Sequence, residues 1–330
     1  MDELIRILDR FDGLRVLVAG DLMVDEHVWG TTSRVSPEAP VLVVDVNGEP
    51  ELRPGGAANV VNNVRALGGS AAVVGVVGSD SFGAELQRQL SSAGVDTYGI
   101  VVDPTRVTTR KTRIWVSHRQ QIVRVDRECK SPLDESTAER IVSLVSAALP
   151  KCDALILSDY NKGVLNTSVA ARVVQLARDM NRICAANPKP ANLSGFKGAG
   201  LVVLNQSEAE AAALAKLDCE EAVMAVGKAM LSDLQVACLV ITRGTLGLTI
   251  FEPTSARTIA AVPLEVYDVA GAGDTVISAL TLALAAGAAP LEAARIANLA
   301  GGAAVRKVGV SAVTRDEIVA LAAISGGSGC

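Results

Sequence analysis

The residues best suited to chemistry lie in the glycine-rich segment Asp268–Thr275 (DVAGAGDT), which leads directly into an apolar stretch. Glycines let successive backbone N–H groups converge on an anion, and the start of a helix adds a partial positive charge. Asp274 stands at that helix start, where it could simply cap the first turn. The segment therefore predicts a phosphate-binding turn, and a capped helix start is the alternative.

Acidic and glycine-rich segments follow the first Val-rich run, RVLVAG. Asp21 and Asp25 come directly after it, and an acid at the carboxyl end of a parallel strand can accept two hydroxyl hydrogen bonds from a sugar. In the downstream segment RPGGAAN, Gly55 and Gly56 would let the chain pass close to a ligand, and Asn59 could hydrogen-bond a hydroxyl. Solvated loop acids and a locally capping Asn59 are the alternatives.

A third polar segment, NQSE, comprises Asn205, Gln206, Ser207 and Glu208 at the junction of a predicted strand and helix. Asn205 and Glu208 have the spacing of a capping box, in which each side chain satisfies a backbone N–H group of the first turn. Glu208 would also suit Mg²⁺, because this hard cation takes oxygen ligands and keeps several waters, so that one carboxylate is sufficient. The two interpretations are compatible.

The elements that would position these residues belong to an α/β protein. Apolar residues make up 49% of the 330-residue chain and aromatic residues only 3%, a bias typical of Ala-rich helices on Val-rich buried strands. Strands are predicted at 15–20, 72–76, 154–157, 182–185, 201–204 and 236–241, with helix-period segments at 83–93, 134–148 and 168–179. This order predicts a mostly parallel central sheet with helices on both faces.

Two stretches, about residues 26–46 and 106–127, interrupt this order with alternating patterns and a predicted turn at 118–121. We expect them to form a small antiparallel sheet that serves as a lid on a single domain of residues 1–330. An exposed sheet edge is most easily protected by pairing with its own copy. The pattern therefore predicts a homodimer formed through the lid.

Composition argues against several classes of function. The formal net charge of −5 provides no basic field for a nucleic-acid backbone, so we expect no nucleic-acid partner. The most apolar stretches fall short of the roughly 18 residues that span a bilayer, and the N-terminus lacks the apolar run of a signal peptide. We therefore expect no membrane association and a cytoplasmic location. The six cysteines form no C-x-x-C pair, which favours reduced thiols over a metal cage or disulfides.

The segment DVAGAGDT resembles the C-terminal signature of the ribokinase-like carbohydrate kinases, which transfer the γ-phosphoryl group of ATP to a sugar hydroxyl. The resemblance implies that Asp274 is the catalytic base and that Gly271 shapes the turn. It also implies that the amides of Ala272, Gly273 and Asp274 stabilise charge on the transferring phosphoryl group.

Other segments fit the same family. RPGGAAN resembles its N-terminal signature, and GDLMVD fits its sugar-binding aspartate, which would be Asp25, with Asp21 as the alternative. NQSE resembles the N-x-x-E element that positions magnesium and the nucleotide phosphates, which gives Glu208 a role through water. Thr242 and Gly244 match a T-x-G nucleotide loop. The family thus implies ATP and Mg²⁺ as cofactors.

Ribokinase-like kinases often hold a monovalent cation, such as K⁺, beside the anion-binding turn. Carried over to this chain, the ligands would be Asp268, the carbonyl of Ala270 and Ser311. Carbonyl ligands leave no trace in a sequence, so this site is implied by the resemblance alone.

Three segments, 20–44, 158–163 and 265–275, resemble the heptose 7-phosphate kinases of ADP-heptose biosynthesis. The resemblance implies conversion of D-glycero-β-D-manno-heptose 7-phosphate to the 1,7-bisphosphate. The chain departs from the pattern of these kinases at Asn187, where Asp is expected. Lys189, two residues on, retains the positive charge expected near the nucleotide. Many relatives are fused to an adenylyltransferase domain with an H-x-G-H signature, which His27 and His118 do not form, so we expect kinase activity without the second activity.

A substrate that already carries a phosphate needs a cationic site away from the anion-binding turn. Strand alternation places Lys111 and Arg113 on one face of the lid, with further basic residues nearby. The candidate ligands of this phosphate are Arg106, Arg110, Lys111, Arg113 and Lys162. A solvated basic strand face is the alternative.

Three other functions remain to be weighed. The first is a ribokinase-like kinase of another sugar phosphate or of a nucleoside, although purine stacking would favour more aromatic residues. The second is a dinucleotide-binding oxidoreductase, which the absence of G-x-G-x-x-G after the first strand disfavours. The third is a non-catalytic sugar-binding protein, against which the intact Asp274 argues. His27 and His118 lie in the expected lid, and we assign them no catalytic role.

Overall fold

Strands and helices alternate along most of the chain. The computed structural model describes residues 2–116, 120–307 and 309–326. The strands are β1 (Arg15–Gly20), β2 (Leu22–Val35), β3 (Leu42–Val46), β4 (Glu51–Gly56), β5 (Ser70–Gly78), β6 (Asp96–Asp103), β7 (Thr109–Val116), β8 (Gln120–Arg127), β9 (Ala154–Ser158), β10 (Ile183–Asn187), β11 (Leu201–Asn205), β12 (Cys238–Thr242), β13 (Leu248–Glu252) and β14 (Ser255–Ile259). The helices are α1 (Asp2–Asp9), α2 (Ala57–Ala66), α3 (Ser81–Ser92), α4 (Glu135–Ala148), α5 (Thr167–Asp179), α6 (Gln206–Ala213), α7 (Glu220–Leu234), α8 (Ala272–Ala285), α9 (Pro290–Ala304) and α10 (Arg315–Gly326).

The central sheet has nine strands in the order β14-β13-β12-β11-β10-β9-β1-β5-β6. The seven strands from β12 to β6 are parallel, and β13 and β14 add an antiparallel edge. Parallel strands are covered on both faces, which is why these strands are apolar along most of their length. In β1, Val16 and Val18 pack in one core and Leu17 and Ala19 in the other. The predicted α/β fold with a mostly parallel sheet is confirmed.

Helices cover both faces of this sheet. Helices α2, α8 and α9 contribute buried side chains to the core on one face, and α4, α5 and α7 to the core on the opposite face. Because β12-β11-β10-β9-β1-β5-β6 run in the same direction, their carboxyl ends meet at one edge. The loops that follow these ends are where a ligand site is expected in such a sheet.

A second sheet of five strands, here called the accessory sheet, consists of β2, β3, β4, β7 and β8. A small separate sheet was predicted, but two details of that prediction were wrong. Strand β2 pairs in parallel with β7, because both strands leave the same edge of the central sheet, after β1 and β6. Strand β4 lies outside the predicted ranges and pairs with β2. Of the predicted turn at 118–121, residues 118 and 119 lie outside the described residues.

In the described ranges, no helix combines the length and the apolar character needed to cross a membrane. Cys129, Cys152, Cys184, Cys219 and Cys238 are free thiols, and Cys330 lies outside the described residues.

Candidate active site

Asp274 lies in the first turn of α8, and only 5% of its surface is exposed. Its Oδ1 accepts a hydrogen bond from the Tyr160 hydroxyl at 2.5 Å, and its Oδ2 accepts one from the Asn59 side-chain amide at 2.7 Å. Burial raises the pKa of Asp274 to about 6, while these two donors act in the opposite direction by stabilising the carboxylate. A base with this pKa is ionised near neutral pH and can accept a proton from a hydroxyl.

Buried hydrogen bonds between α2 and α8 hold Asn59, one of the two donors to the Asp274 carboxylate, in place. The Thr275 hydroxyl donates to Asn63 Oδ1 at 2.8 Å, and the Asn63 amide donates to the backbone carbonyl of Asn59 at 2.9 Å. Asn59, predicted to bind a sugar hydroxyl, therefore directs its amide at Asp274 in this structure. The sequence did not indicate this contact, because the two residues are 215 positions apart.

The turn before α8 has the shape that an anion site requires. Gly271 has a φ of 77°, and a Cβ atom at this position would lie 2.9 Å from Asn59 Nδ2, so only glycine fits. The Ala272 N–H group donates to the Val269 carbonyl at 3.3 Å, within the turn. A Cβ atom on Gly273 would meet nothing within 4 Å. The turn is thus open at Gly273, where an anion can approach.

A cavity of about 160 Å³ lies next to this turn. It brings together residues from the carboxyl ends of four strands and from the start of α8. Its lining comprises Tyr160, Asn187, Lys189, Val203, Asn205, Glu208, Thr242, Gly271, Gly273 and Asp274. Asn187, the departure noted in the sequence, donates to the Val203 carbonyl at 2.8 Å, a bond that an ionised Asp could not make.

Asn205 and Glu208 form the predicted capping box at the start of α6. Asn205 Oδ1 accepts the Glu208 backbone N–H at 2.9 Å, and Glu208 Oε2 accepts the Asn205 backbone N–H at 2.9 Å. Glu208 Oε1 forms an ion pair with Lys189. The cap orients the Glu208 carboxylate towards the cavity, where an anionic ligand would also meet Lys189.

A larger cavity, of about 940 Å³, adjoins the first and shares Asn205, Thr242 and Gly273 with it. Three more of the predicted nucleotide residues, Gln206, Ser207 and Gly244, line its polar side. Its apolar wall is formed by Val262, Leu264, Val266, Val269, Val276 and Val305. A cavity that has an apolar wall and adjoins an anion-binding turn suits a nucleoside triphosphate.

Asp21 and Asp25, the two alternatives for a sugar ligand, have different surroundings. The Asp21 carboxylate accepts backbone N–H groups of Tyr160 at 2.7 Å, Lys162 at 3.0 Å and Val164 at 3.1 Å. Burial raises its pKa to about 6, and these donors act in the opposite direction. Asp21 thus fixes the loop after β9, and the geometry favours Asp25 as the sugar ligand.

Asp25 lies on β2, where its carboxylate forms an ion pair with Arg113 of β7. A Cβ atom on Gly55 of β4 would collide with the Asp25 carboxylate, which explains the glycine at this position. Gly56 has a φ of 57°, and a Cβ there would lie 2.6 Å from the Asp21 carbonyl. The two glycines therefore make room for Asp25 and for the backbone at Asp21.

The predicted phosphate ligands do not form one cluster. Lys111 and Arg113 lie on the same face of β7, with Lys111 at 3.5 Å from Asp126. Arg110 lies on the opposite face, where its guanidinium is 4.0 Å from the centre of the Phe82 ring and 3.6 Å from Glu26. The separation follows from the two-residue period of a strand.

The other two predicted cations are also engaged. Arg106 donates to the carbonyls of Ser131 at 2.8 Å and Lys162 at 2.6 Å, so it supports two loops. The Lys162 ammonium forms an ion pair with Glu128 at 2.6 Å. Arg113 and Lys111 are therefore the cations best placed on the Asp25 side of the accessory sheet.

Tyr160, Arg53 and His27 have contacts that the sequence did not indicate. Tyr160 lies in the segment 158–163 that was noted for its resemblance, but the phenol itself was not singled out. Arg53 heads the RPGGAAN segment and donates to the Val310 carbonyl at 3.3 Å. His27 Nδ1 accepts the Trp115 indole N–H at 2.9 Å, and its Nε2 is buried without a partner among the described residues.

Asp268 joins the turn before α8 to the loop that contains Ser311. Its Oδ1 accepts the Ala270 N–H at 2.9 Å, and its Oδ2 accepts the Gly309 N–H at 2.9 Å. Each oxygen keeps a lone pair, so the carboxylate could still face a cation.

Phosphoryl transfer is the chemistry that this arrangement serves, and comparison with known proteins identifies the class. The model of the pfkB family of carbohydrate kinases matches residues 15–317. The chain belongs to this family and is an ATP-dependent sugar kinase.

Curated relatives match nearly the whole of this chain. The bifunctional protein HldE of Geotalea uraniireducens (strain Rf4) is 41% identical over 319 residues, which cover 96% of this chain and 65% of that protein. The bifunctional protein HldE of Geobacter sulfurreducens is 42% identical over 324 residues, covering 96% and 64%. This chain therefore spans just under two-thirds of the length of these relatives.

Solved structures with the same fold include phosphofructokinase-2 from Escherichia coli in complex with potassium. It has a TM-score of 0.79 and 20% identity, covering 95% of this chain and 99% of that chain. Arabidopsis thaliana ribokinase complexed with ribose and ATP has a TM-score of 0.74 and 16% identity, covering 93% and 98%. The predicted ribokinase-like fold is confirmed.

The position of Asp274 generates a first prediction. Asp274→Asn should fold and bind ATP but lose activity on the order of 10²–10⁴-fold in kcat, because an amide cannot accept the hydroxyl proton. Steady-state kinetics and ATP binding by calorimetry measure the two effects. A near-normal kcat would exclude Asp274 as the catalytic base.

Proposed function

We propose that this chain phosphorylates D-glycero-β-D-manno-heptose 7-phosphate at its 1-hydroxyl, to give the 1,7-bisphosphate for ADP-heptose and lipopolysaccharide core biosynthesis. The proposal rests on the resemblance of segments 20–44, 158–163 and 265–275 to heptose 7-phosphate kinases. The relatives named HldE, at 41% and 42% identity over nearly the whole chain, support it.

The accessory sheet provides a surface for an anionic sugar. Asp25 would accept sugar hydroxyl hydrogen bonds, and Arg113 beside it would meet the existing phosphate. Lys111 lies on the same face of β7 and adds a second positive charge. This surface is separate from the turn at Gly271–Asp274, so the two phosphate groups need not compete for one site.

In the proposed reaction, the oxygen of the 1-hydroxyl attacks the γ-phosphorus of ATP. Its proton passes to the Asp274 carboxylate, the bond from the γ-phosphorus to the bridging oxygen breaks, and ADP leaves. The Gly273 and Asp274 amides at the start of α8 would stabilise negative charge on the transferring group, whereas the Ala272 amide, predicted for the same role, donates to the Val269 carbonyl. Lys189 adds a positive charge on the same side of the cavity.

The residues present fit the implied cations. The Glu208 carboxylate lines the cavity beside Asn205, and one carboxylate with water and ATP phosphates suffices for Mg²⁺, which neutralises phosphate charge when bound. The Asp268 carboxylate, the Ala270 carbonyl and Ser311 would hold a monovalent cation such as K⁺. The two N–H groups that Asp268 accepts would keep its carboxylate in place.

The substrate assignment is tested by mass spectrometry of ATP-dependent phosphorylation over a panel of sugars and sugar 7-, 6- and 1-phosphates. We expect heptose 7-phosphate to gain one phosphoryl group and heptose without the 7-phosphate to be a very poor substrate. Comparable kcat/KM for both would contradict the substrate assignment and leave the kinase assignment intact. A preferred nucleoside or other sugar phosphate would favour the main alternative.

Arg113 and Arg110 lie on opposite faces of β7, and this separation generates a prediction about the substrate phosphate. Arg113→Gln should raise KM for the phosphorylated sugar by roughly tenfold or more and leave KM for ATP unchanged, since a charged hydrogen bond contributes ~1.5–3 kcal/mol. Arg110→Gln, on the opposite face of the same strand, is the matched control and should have a much smaller effect.

Arg113→Gln could weaken binding of the substrate phosphate, or it could disturb Asp25, the ion-pair partner of Arg113. The ratio of kcat/KM for heptose 7-phosphate to kcat/KM for heptose distinguishes these two effects. In Arg113→Gln this ratio should fall, because only the phosphorylated sugar loses a contact. An unchanged ratio, or an equal change in Arg110→Gln, would exclude Arg113 as a phosphate ligand.

We also propose that the accessory sheet, as the lid of a single kinase domain, forms a homodimer. Its outer strands carry exposed apolar side chains, including Leu42 of β3 and Val123 and Val125 of β8. Such a surface is stabilised when it pairs with its own copy. Light scattering at micromolar protein should give twice the monomer mass, and Val125→Asp should shift it towards the monomer. A monomeric wild-type protein would refute the proposal.

A further inference from the structure

Tyr160 is the only tyrosine among the described residues whose hydroxyl lies at the candidate base. It belongs to the loop after β9, and its own backbone N–H donates to Asp21 Oδ2 at 2.7 Å. The next residues of this loop are held by Asp159, which accepts the Asn161 N–H at 2.7 Å and the Lys189 N–H at 2.9 Å. The backbone of the loop that carries the phenol is therefore held by two carboxylates, those of Asp21 and Asp159.

The Tyr160 hydroxyl and the Asn59 amide each occupy one oxygen of Asp274. Each carboxylate oxygen has two lone pairs, so each keeps one free. A sugar hydroxyl must donate its proton to one of these remaining lone pairs. The two donors thus decide the direction from which the sugar can approach the base.

We propose that Tyr160 is a positioning residue for phosphoryl transfer, whose hydroxyl keeps the Asp274 carboxylate ionised and oriented towards the acceptor hydroxyl. The proposal rests on the proposed role of Asp274 as the base. Tyr160 itself exchanges no proton in the reaction: the sugar proton passes to Asp274 and from there to solvent, and the phenol remains a donor throughout.

The charges around the base support this role. Burial raises the pKa of Asp274, and the negative charge of Asp25 acts in the same direction, whereas Tyr160, Asn59 and Lys189 act to lower it. Burial holds the pKa of Tyr160 well above its usual value, and the negative charges of Asp274, Asp25 and Glu208 act in the same direction. The phenol is therefore protonated, and able to donate, over the whole working range of pH.

The aromatic ring has a separate contact that a phenylalanine would retain. The Lys189 ammonium lies 5.2 Å from the centre of the Tyr160 ring, within the range of a cation–π interaction. Because Tyr160→Phe keeps the ring and removes only the hydroxyl, the substitution isolates the hydrogen bond to Asp274. Tyr98→Phe is the matched control, since Tyr98 is 88% exposed on β6.

The test compares pH profiles of single-turnover phosphoryl transfer and of kcat/KM for wild type, Tyr160→Phe and Tyr98→Phe, with the best acceptor from the substrate panel. In Tyr160→Phe the acidic limb should move up by roughly one to two pH units, because the carboxylate loses a donor that favours its ionised form. The rate at neutral pH should fall tenfold or more while KM for ATP stays within twofold, and Tyr98→Phe should match wild type.

A double-mutant cycle shows whether Tyr160 acts through the base. Tyr160→Phe should add little to the loss caused by Asp274→Asn, because the carboxylate that it positions is already gone. Additive losses, an unshifted acidic limb or a change confined to thermal stability would overturn the inference. If Tyr160→Phe does not fold, Asn59→Ser removes the other donor, and an unshifted acidic limb there would equally overturn it. Absence of any acceptor for the wild type would instead overturn the proposed function.

Discussion

The buried carboxylate of Asp274 is the constraint on which the rest of the site depends. Taking a carboxylate out of water is unfavourable unless hydrogen-bond donors meet it. Its two donors come from segments 114 and 215 positions away in the chain, the loop after β9 and the first turn of α2. Both segments must therefore be in place for the Asp274 carboxylate to have these donors.

The parallel sheet achieves that placement. Strands β1 and β9 are neighbours, with Gly20 opposite Ser158, so Asp21 after one strand reaches the loop after the other. Helix α2 packs against α8 through Asn59, Asn63 and Thr275, and this contact connects the turn at Gly271 to the base. The contacts that join the two helices thus also place the donor of Asp274, so a substitution here changes both the packing and the site.

The accessory sheet separates its two faces by strand alternation. One face of β2 and β7 carries Asp25 and Arg113, next to the site, and the other carries Glu26 and Arg110, next to α3. An ion pair between Asp25 and Arg113 allows both charges to be largely buried in the absence of substrate.

The sequence by itself determined the features that depend on near neighbours in the chain. The Val-rich strands, the capping box of Asn205 and Glu208, and the glycine turn before α8 follow from local periodicity and backbone freedom, and the structure contains each of them. Only the tertiary structure decided that β2 and β7 are parallel and that Asn59 and Tyr160 meet at Asp274. The reason is physical: these contacts join residues that local pattern does not relate, and their geometry exists only once the strands have paired and the helices have packed.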